Sequence, residues 1–209
     1  MKVQKITFRD QVRKIINDQL FSGELKAGQK ISLAELARTL ETSVTPIREA
    51  LTQLEHEGII QYIPNIGFCV RTLTIEEAKQ TYGLIGILEE YAVSLSEYSN
   101  NDIKQLLQII EKKIHAKTNK ERIQLDRLFH NKLTENSKNK VVLETLEYLK
   151  KTVFVFEMAF LEEVHKNIEY DSFHLDIVKL LERKHINSAA KTTKKHWHQG
   201  CSYLKNITT

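Results

Sequence analysis

Hydrophobic residues recur every three or four positions along most of the chain, which is the spacing of amphipathic α-helices. The first predicted helix covers residues 7–22 and ends at Gly23. Its apolar face is formed by Phe8, Val12, Ile15, Ile16 and Leu20. This face is expected to pack beneath two shorter helices that follow it.

Capping residues mark the start of those two short helices. Ser32 with Glu35 three residues later is a capping box, which predicts a helix start. Thr45 is predicted to cap the next helix, with Pro46 at the first helical position, where its missing N–H costs no hydrogen bond. Gly58 is predicted to end that helix as its C′ residue. The buried face of the second helix is predicted to contain Ile47, Ala50, Leu51 and Leu54.

A short β-hairpin is predicted after the second of these helices. Apolar residues on both sides flank Pro64-Asn65-Ile66-Gly67, where Asn65 and Gly67 favour a tight turn. Helix, turn, helix and hairpin in this order predict a winged helix-turn-helix. Such a fold places its second helix in the major groove of DNA.

The pattern after residue 73 predicts an all-α domain. Apolar residues at helical spacing, such as Leu84, Leu88, Tyr91 and Leu95, recur throughout it. Helices are expected at about 75–99, 102–117, 120–135, 141–160, 171–184 and 186–206. The predicted fold class is therefore mainly α. A winged helix-turn-helix with a small hairpin wing covers residues 1–73, and a bundle of six or seven helices covers residues 74–209.

Composition adds limits to this picture. The 209 residues are 41% hydrophobic and 28% charged, with a net charge of +4, so charge balance alone does not indicate DNA binding. The two cysteines exclude a disulfide framework and have no metal-site spacing. We find no signal peptide and no apolar run long enough to span a bilayer. A cytoplasmic protein without a membrane partner is therefore expected.

The stretch Thr-Pro-Ile-Arg-Glu-Ala-Leu at 45–51, followed by Leu54-Glu55 and Glu57-Gly58-Ile59-Ile60, resembles a family signature. It is similar to the recognition helix of the GntR family of bacterial transcription regulators. The helix count and order after residue 74 resemble the FCD effector and dimerisation domain of the FadR-type branch. The resemblance implies a homodimeric regulator rather than an enzyme, with double-stranded operator DNA and a small-molecule effector as partners.

Candidate DNA contacts lie in and beside the predicted recognition helix. Arg48, in its first turn, can bind guanine through two hydrogen bonds or hold a phosphate. An ion pair with Glu49 or Glu55 is the alternative. Relatives mostly carry an arginine where this sequence has Val44, so the operator is expected to depart from the family norm. The other candidates are Ser43, Thr45, Pro46, Asn65 and Gly67.

Four side chains form a candidate metal site. Asp126 and His130 are four residues apart and face the same way on one helix, while His174 and His196 lie on later helices. One carboxylate and three imidazoles can bind a divalent ion inside a bundle. From these residues alone, a salt bridge or a core hydrogen bond is the commoner explanation. The resemblance favours a metal, since FCD domains typically show Asp-x-x-Phe-His, a later His, and another His 22 residues beyond it, as here. Zinc is favoured over nickel or manganese.

Several kinds of effector are compatible with the residues of this site. Ile85 stands where relatives usually carry an arginine that helps to bind an organic acid. An acid bound through the metal alone, a less charged effector and a purely structural metal all stay open. The favoured function is a repressor with a small-molecule effector. The alternatives are a regulator for which the metal is the signal and, more distantly, a metal-dependent hydrolase, for which no general acid or base motif is found.

Overall fold

The computed structural model describes residues 7–22, 24–159 and 169–203. Gly23, expected to end the first helix, lies outside the described residues, as do the predicted helix ends at 160 and 204–206. The chain divides into two compact units between Thr72 and Leu73. In the described part of the chain, no helix combines the length and the hydropathy that a membrane span requires.

The first unit is the predicted winged helix-turn-helix. In the residues described, its elements are α1 (Phe8–Ser22), α2 (Leu33–Thr39), α3 (Val44–Glu55), β1 (Ile60–Ile63) and β2 (Gly67–Val70), with the two strands antiparallel. The apolar faces of α1 and α3 pack together, and Val12, Ile47 and Leu51 are fully buried. Phe8 was expected on this face but is 44% exposed, because it is the first residue of α1. The mainly α fold class is confirmed.

The third helix begins two residues earlier than the capping prediction allows. Ser43 is its N-cap and Val44 its first helical residue, so the prediction of Thr45 as the cap is wrong. Pro46 therefore occupies the third helical position instead of the first. It is tolerated there because the N–H groups of the first turn have no acceptor within the helix.

Left-handed backbone shapes both turns around the wing. Gly58 has φ +75°, but α3 ends at Glu55 with His56 as its C-cap, so Glu57 is the C′ residue and the prediction of Gly58 at C′ is wrong by one residue. At the hairpin tip, Asn65 has φ +64° and Gly67 has φ +105°. These angles favour asparagine and glycine, and the predicted hairpin turn is confirmed.

The second unit contains six helices within the described residues. They are α4 (Ile75–Ser94), α5 (Asn100–Ile114), α6 (Asn119–Thr134), α7 (Lys140–Ala159), α8 (Glu169–Glu182) and α9 (Ile186–Tyr203). The largest difference from the sequence prediction concerns α4, which stops at Ser94 instead of Ser99. Ser99 instead forms a capping box with Asp102 and starts α5.

Two hydrophobic clusters fill the second unit. One is built mainly by α5, α6, α8 and the start of α9 and includes Phe129, while the other is built by α4, α7 and α9 and includes Trp197. A side chain at Gly86 would bring its Cβ to 3.0 Å from the Cβ of Trp197. Glycine at this position therefore lets α4 and α9 pack closely. The polar site described next lies where the two clusters meet, since the His130 ring contacts both Phe129 and Trp197.

Candidate metal centre and DNA-binding surface

The surface of α3 opposite its buried stripe is the candidate DNA-binding surface. Thr45 and Arg48 are exposed there, next to the exposed Ser43, and Pro46 is half-buried. Because α3 begins at Val44, Arg48 is in the second helical turn and not in the first. The candidates at the wing tip are also accessible, with Asn65 exposed and Gly67 partly so.

Arg48 does not form the ion pair that the sequence offers as the alternative to DNA contact. In the described part of the chain, neither Glu49 nor Glu55 lies within ion-pair distance of it. Glu55 Oε1 instead accepts a hydrogen bond of 2.7 Å from the backbone N–H of Tyr62. Val44, in place of the arginine of relatives, adds an apolar side chain that is 40% exposed to the same surface. Arg48 is thus the main cationic candidate on α3.

Three helices bring the four candidate metal ligands together. Asp126 and His130 project from α6, His174 from α8 and His196 from α9, and all four side chains are buried. One ligand atom from each lies within 4.8 Å of all the others. The structure therefore places the predicted set in one cluster.

The spacing within this cluster suits one small ion. His130 Nε2 lies 3.2 Å from His196 Nε2 and 3.4 Å from His174 Nε2. His174 Nε2 lies 3.4 Å from Asp126 Oδ1. Ligand atoms about 2.0–2.1 Å from a tetrahedral Zn²⁺ stand about 3.3 Å from one another. The donor set and its spacing therefore fit a divalent metal, and metal binding itself stays a prediction.

A buried carboxylate that the sequence prediction missed orients one of these ligands. Glu89, on α4, is fully buried, and its Oε2 accepts from His130 Nδ1 at 2.8 Å and from Trp197 Nε1 at 2.6 Å. Lys150 Nζ lies 2.6 Å from Glu89 Oε1. Burial opposes ionisation of Glu89, but His130 and Lys150 lower its pKa to about 2. Because the Nδ1–H of His130 donates a hydrogen bond to Glu89, the lone pair of its Nε2 faces the cluster.

A buried lysine, also missed, contacts two other ligands. Lys113 on α5 is 3% exposed, and its Nζ lies 2.5 Å from Asp126 Oδ1 and 3.4 Å from His174 Nδ1. Burial opposes ionisation of Asp126, yet Lys113 and the imidazoles hold its pKa well below the usual value. Burial and then Lys113 lower the pKa of His174. Burial and then His130 lower the pKa of His196 to about 3. His174 and His196 are therefore neutral at pH 7, the form that binds metals.

A narrow cleft of about 10 Å³, with room for about one water molecule, adjoins the cluster and reaches Asp126 and His130. Glu157 lines it and accepts a 2.5 Å hydrogen bond from the Tyr82 hydroxyl. Burial and the nearby Asp126 carboxylate raise the pKa of Glu157 to about 8. Ile85, which replaces the arginine of relatives, is fully buried in the α4 core instead. The cleft is the candidate effector pocket, and it must widen to admit a molecule larger than water.

Comparison with known proteins agrees with both halves of the chain. Residues 8–70 match the family described as bacterial regulatory proteins, gntR family. Residues 82–199, more than half of the chain, match the FCD domain.

Relatives and solved structures of similar length support the same assignment. The transcriptional regulator YdhC of Bacillus subtilis, uncharacterised, is 27% identical over 97% of this chain and 91% of its own length. The transcriptional repressor RspR of Escherichia coli is 22% identical over 94% and 89%. The structure of E. coli McbR/YncC matches with a TM-score of 0.78 and 23% identity over 98% of this chain and 100% of that one. These proteins are regulators rather than enzymes, and none favours the hydrolase interpretation.

Proposed function

The chain belongs to the GntR family of bacterial regulatory proteins and carries an FCD domain, and from this premise we propose that it is a homodimeric repressor of a palindromic operator. The observation that carries the proposal is the geometry of α3, which buries one face against α1 and exposes Arg48 on the other. The name of RspR supports repression rather than activation. Such a role implies a cytoplasmic protein.

We further propose that a divalent ion, with zinc favoured, binds Asp126, His130, His174 and His196, and that an effector in the adjoining cleft controls DNA binding. A bound ion supplies a Lewis-acid centre beside the cleft. Glu157 lines that cleft, so its carboxyl group is placed to contact an effector. Effector binding would favour one dimer geometry over another and so change the match to the operator half-sites.

A second candidate is that the metal itself is the signal. It is favoured by the donor set, because four protein ligands complete a tetrahedral site without any effector atom. Titrating operator binding with Zn²⁺ alone separates the two candidates. A response to Zn²⁺ without any organic ligand supports the metal as the signal. A response that also needs a small acid such as citrate supports an effector.

DNA binding can be tested without knowing the operator. The protein is used to select duplexes from a random-sequence library, and selected sequences are expected to contain an inverted repeat, because two copies related by two-fold symmetry read two half-sites. Failure to enrich any sequence over several rounds would contradict the proposal. The selected duplex is then the probe for variants.

Arg48→Ala is expected to weaken binding to the selected duplex by roughly 10- to 100-fold, because a good bidentate contact to a base contributes about 1–3 kcal/mol. Fluorescence anisotropy at fixed salt measures the change. Arg183→Ala, which removes the same charge from an exposed position in the FCD domain, is the matched control. Equal affinity in the two variants would exclude Arg48 as a DNA contact.

The surface that supports homodimer formation lies on α4. Leu84, Ile87 and Tyr91 are 44%, 51% and 47% exposed, and Leu95, just beyond the helix end, is 41% exposed. These residues share one face of the helix, where large apolar side chains at contiguous positions mark an interaction surface. A two-fold axis beside α4 would bury this face against the same face of a second copy.

Ile87→Glu is expected to shift the protein from dimer to monomer, with a dimer dissociation constant raised about 100-fold, since it places a carboxylate from each copy near the proposed axis. Size-exclusion chromatography with light scattering measures the mass across a dilution series. Leu128→Glu on α6 is the control, because Leu128 is 49% exposed and matches Ile87 in size and accessibility. Dimers of unchanged affinity in Ile87→Glu would place the interface elsewhere.

A further inference from the structure

Lys113 is an unexpected neighbour for a metal ion. An ammonium group has three donors and no acceptor, so it can contribute nothing to a metal. It is also costly to bury unless it is paired. Lys113 is paired, because it donates to Asp126 Oδ1 and His174 Nδ1, which belong to two of the four candidate ligands.

The contact with His174 fixes where that imidazole carries its proton. Nδ1 must accept from Lys113, so the single proton of the neutral ring lies on Nε2, the atom that faces His130 and Asp126. His130 shows the opposite arrangement, because its Nδ1 donates to Glu89 and leaves the Nε2 lone pair toward the cluster. Metal-binding histidines normally donate their outer N–H to an acceptor, as His130 does. His174 is therefore held in the tautomer that cannot bind a metal through Nε2.

We propose that the Lys113 ammonium is a resident cation of the centre, which holds Asp126 and His174 in a metal-free arrangement and must be displaced when a divalent ion binds. This inference rests on the proposed metal site. Lys113 lies in the last turn of α5, and Lys112 and Ile114 on either side of it in the sequence are exposed. Binding of an ion through His174 Nε2 would require its proton to move to Nδ1, the atom that Lys113 contacts. The lysine thus sets the metal concentration at which the site fills.

Removing the lysine tests the proposal directly. Zn²⁺ affinity is measured by competition with a chelating dye for the wild type, Lys113→Met and Lys112→Met. Lys113→Met is expected to bind Zn²⁺ about 10- to 100-fold more tightly than the other two, the range by which groups surrounding metal ligands change affinity. Equal or weaker binding by a folded Lys113→Met variant, as judged by circular dichroism, would overturn the proposal.

A second measurement reads the wild-type protein and so does not depend on the folding of Lys113→Met. Nitrogen-15 NMR of the metal-free chain, with His174→Gln and His130→Gln to assign the signals, reports the tautomer of each ring. The expected result is a proton on Nε2 of His174 and on Nδ1 of His130. A His174 ring protonated on Nδ1 would overturn the proposal, because Lys113 could not then donate to it.

The outcomes separate this inference from the proposed metal site. Wild-type binding that Lys113→Met does not improve leaves the site standing and refutes the role of Lys113. Tight Zn²⁺ binding by Lys113→Met, with none by the wild type or Lys112→Met, supports the resident cation and shows that the native chain does not bind the metal in this assay. Binding by none of the three proteins refutes both.

Discussion

Loss of the His174 imidazole is expected to weaken Zn²⁺ binding by about a hundredfold or more. Structural zinc sites gain about 10–16 kcal/mol from their full ligand set, so removal of one ligand in four costs several kcal/mol. His174 is 1% exposed, and its Nε2 lies 3.4 Å from both His130 Nε2 and Asp126 Oδ1, so its imidazole stands among the other candidate ligands. Mass spectrometry of tag-free protein, loaded with Zn²⁺ and dialysed, measures metal per chain for wild type and His174→Ala.

His185→Ala is the matched control, because His185 is exposed just after α8 and lies outside the cluster. We expect close to one ion per chain in the wild type and in this control, and a clear loss in His174→Ala. A wild type that retains no Zn²⁺, Ni²⁺ or Mn²⁺ would leave the four residues as a buried polar network.

The second large effect concerns stability. Glu89→Leu is expected to lower the free energy of unfolding by about 3–5 kcal/mol, since removal of one partner from a buried ion pair leaves the other charge uncompensated. The groups left without this acceptor are Lys150 Nζ, His130 Nδ1 and Trp197 Nε1. Urea denaturation followed by circular dichroism measures the change in metal-free protein.

Glu90→Leu, one residue along the same helix, provides the comparison. Glu90 pairs with Lys194 at 2.9 Å, but its side chain is 27% exposed, so the loss is expected to stay below about 1 kcal/mol. If the two variants lost equal stability, the buried network around Glu89 would not be a main source of the stability of this unit.

Local signals in the sequence were sufficient for most of the fold. Capping residues such as Thr74, which forms the complete box with Glu77, place helix starts because they satisfy N–H groups that the helix cannot. Where two capping residues lie close together, the sequence does not distinguish them. Ser43 and Thr45 are both able to cap α3, and proline is tolerated anywhere in the first turn, so the predicted start is wrong by two residues.

The site was predictable only in part for a related reason. Asp126 and His130 were found by their spacing, and the two later histidines by resemblance to a family pattern. Glu89 and Lys113 each lie beside another residue of the same charge, and such pairs usually belong to a solvated helix face. Glu89 does fall four residues after Ile85, on the buried stripe of α4, and that was the available signal. Which member of each pair is buried depends on packing between helices distant in sequence.

The close packing at Gly86 has a consequence for the thermodynamics of the molecule. His196 is a candidate metal ligand, and the next residue, Trp197, rests against Gly86 and donates to Glu89 on α4. Ile87 and Tyr91, on the proposed dimer surface, lie on the outer side of that same helix. If metal binding shifted α9, the shift would reach α4 through the close contact at Gly86 and the Trp197–Glu89 hydrogen bond. If metal binding changes the affinity of one copy for another, dimer formation must change the metal affinity of each copy by the same factor.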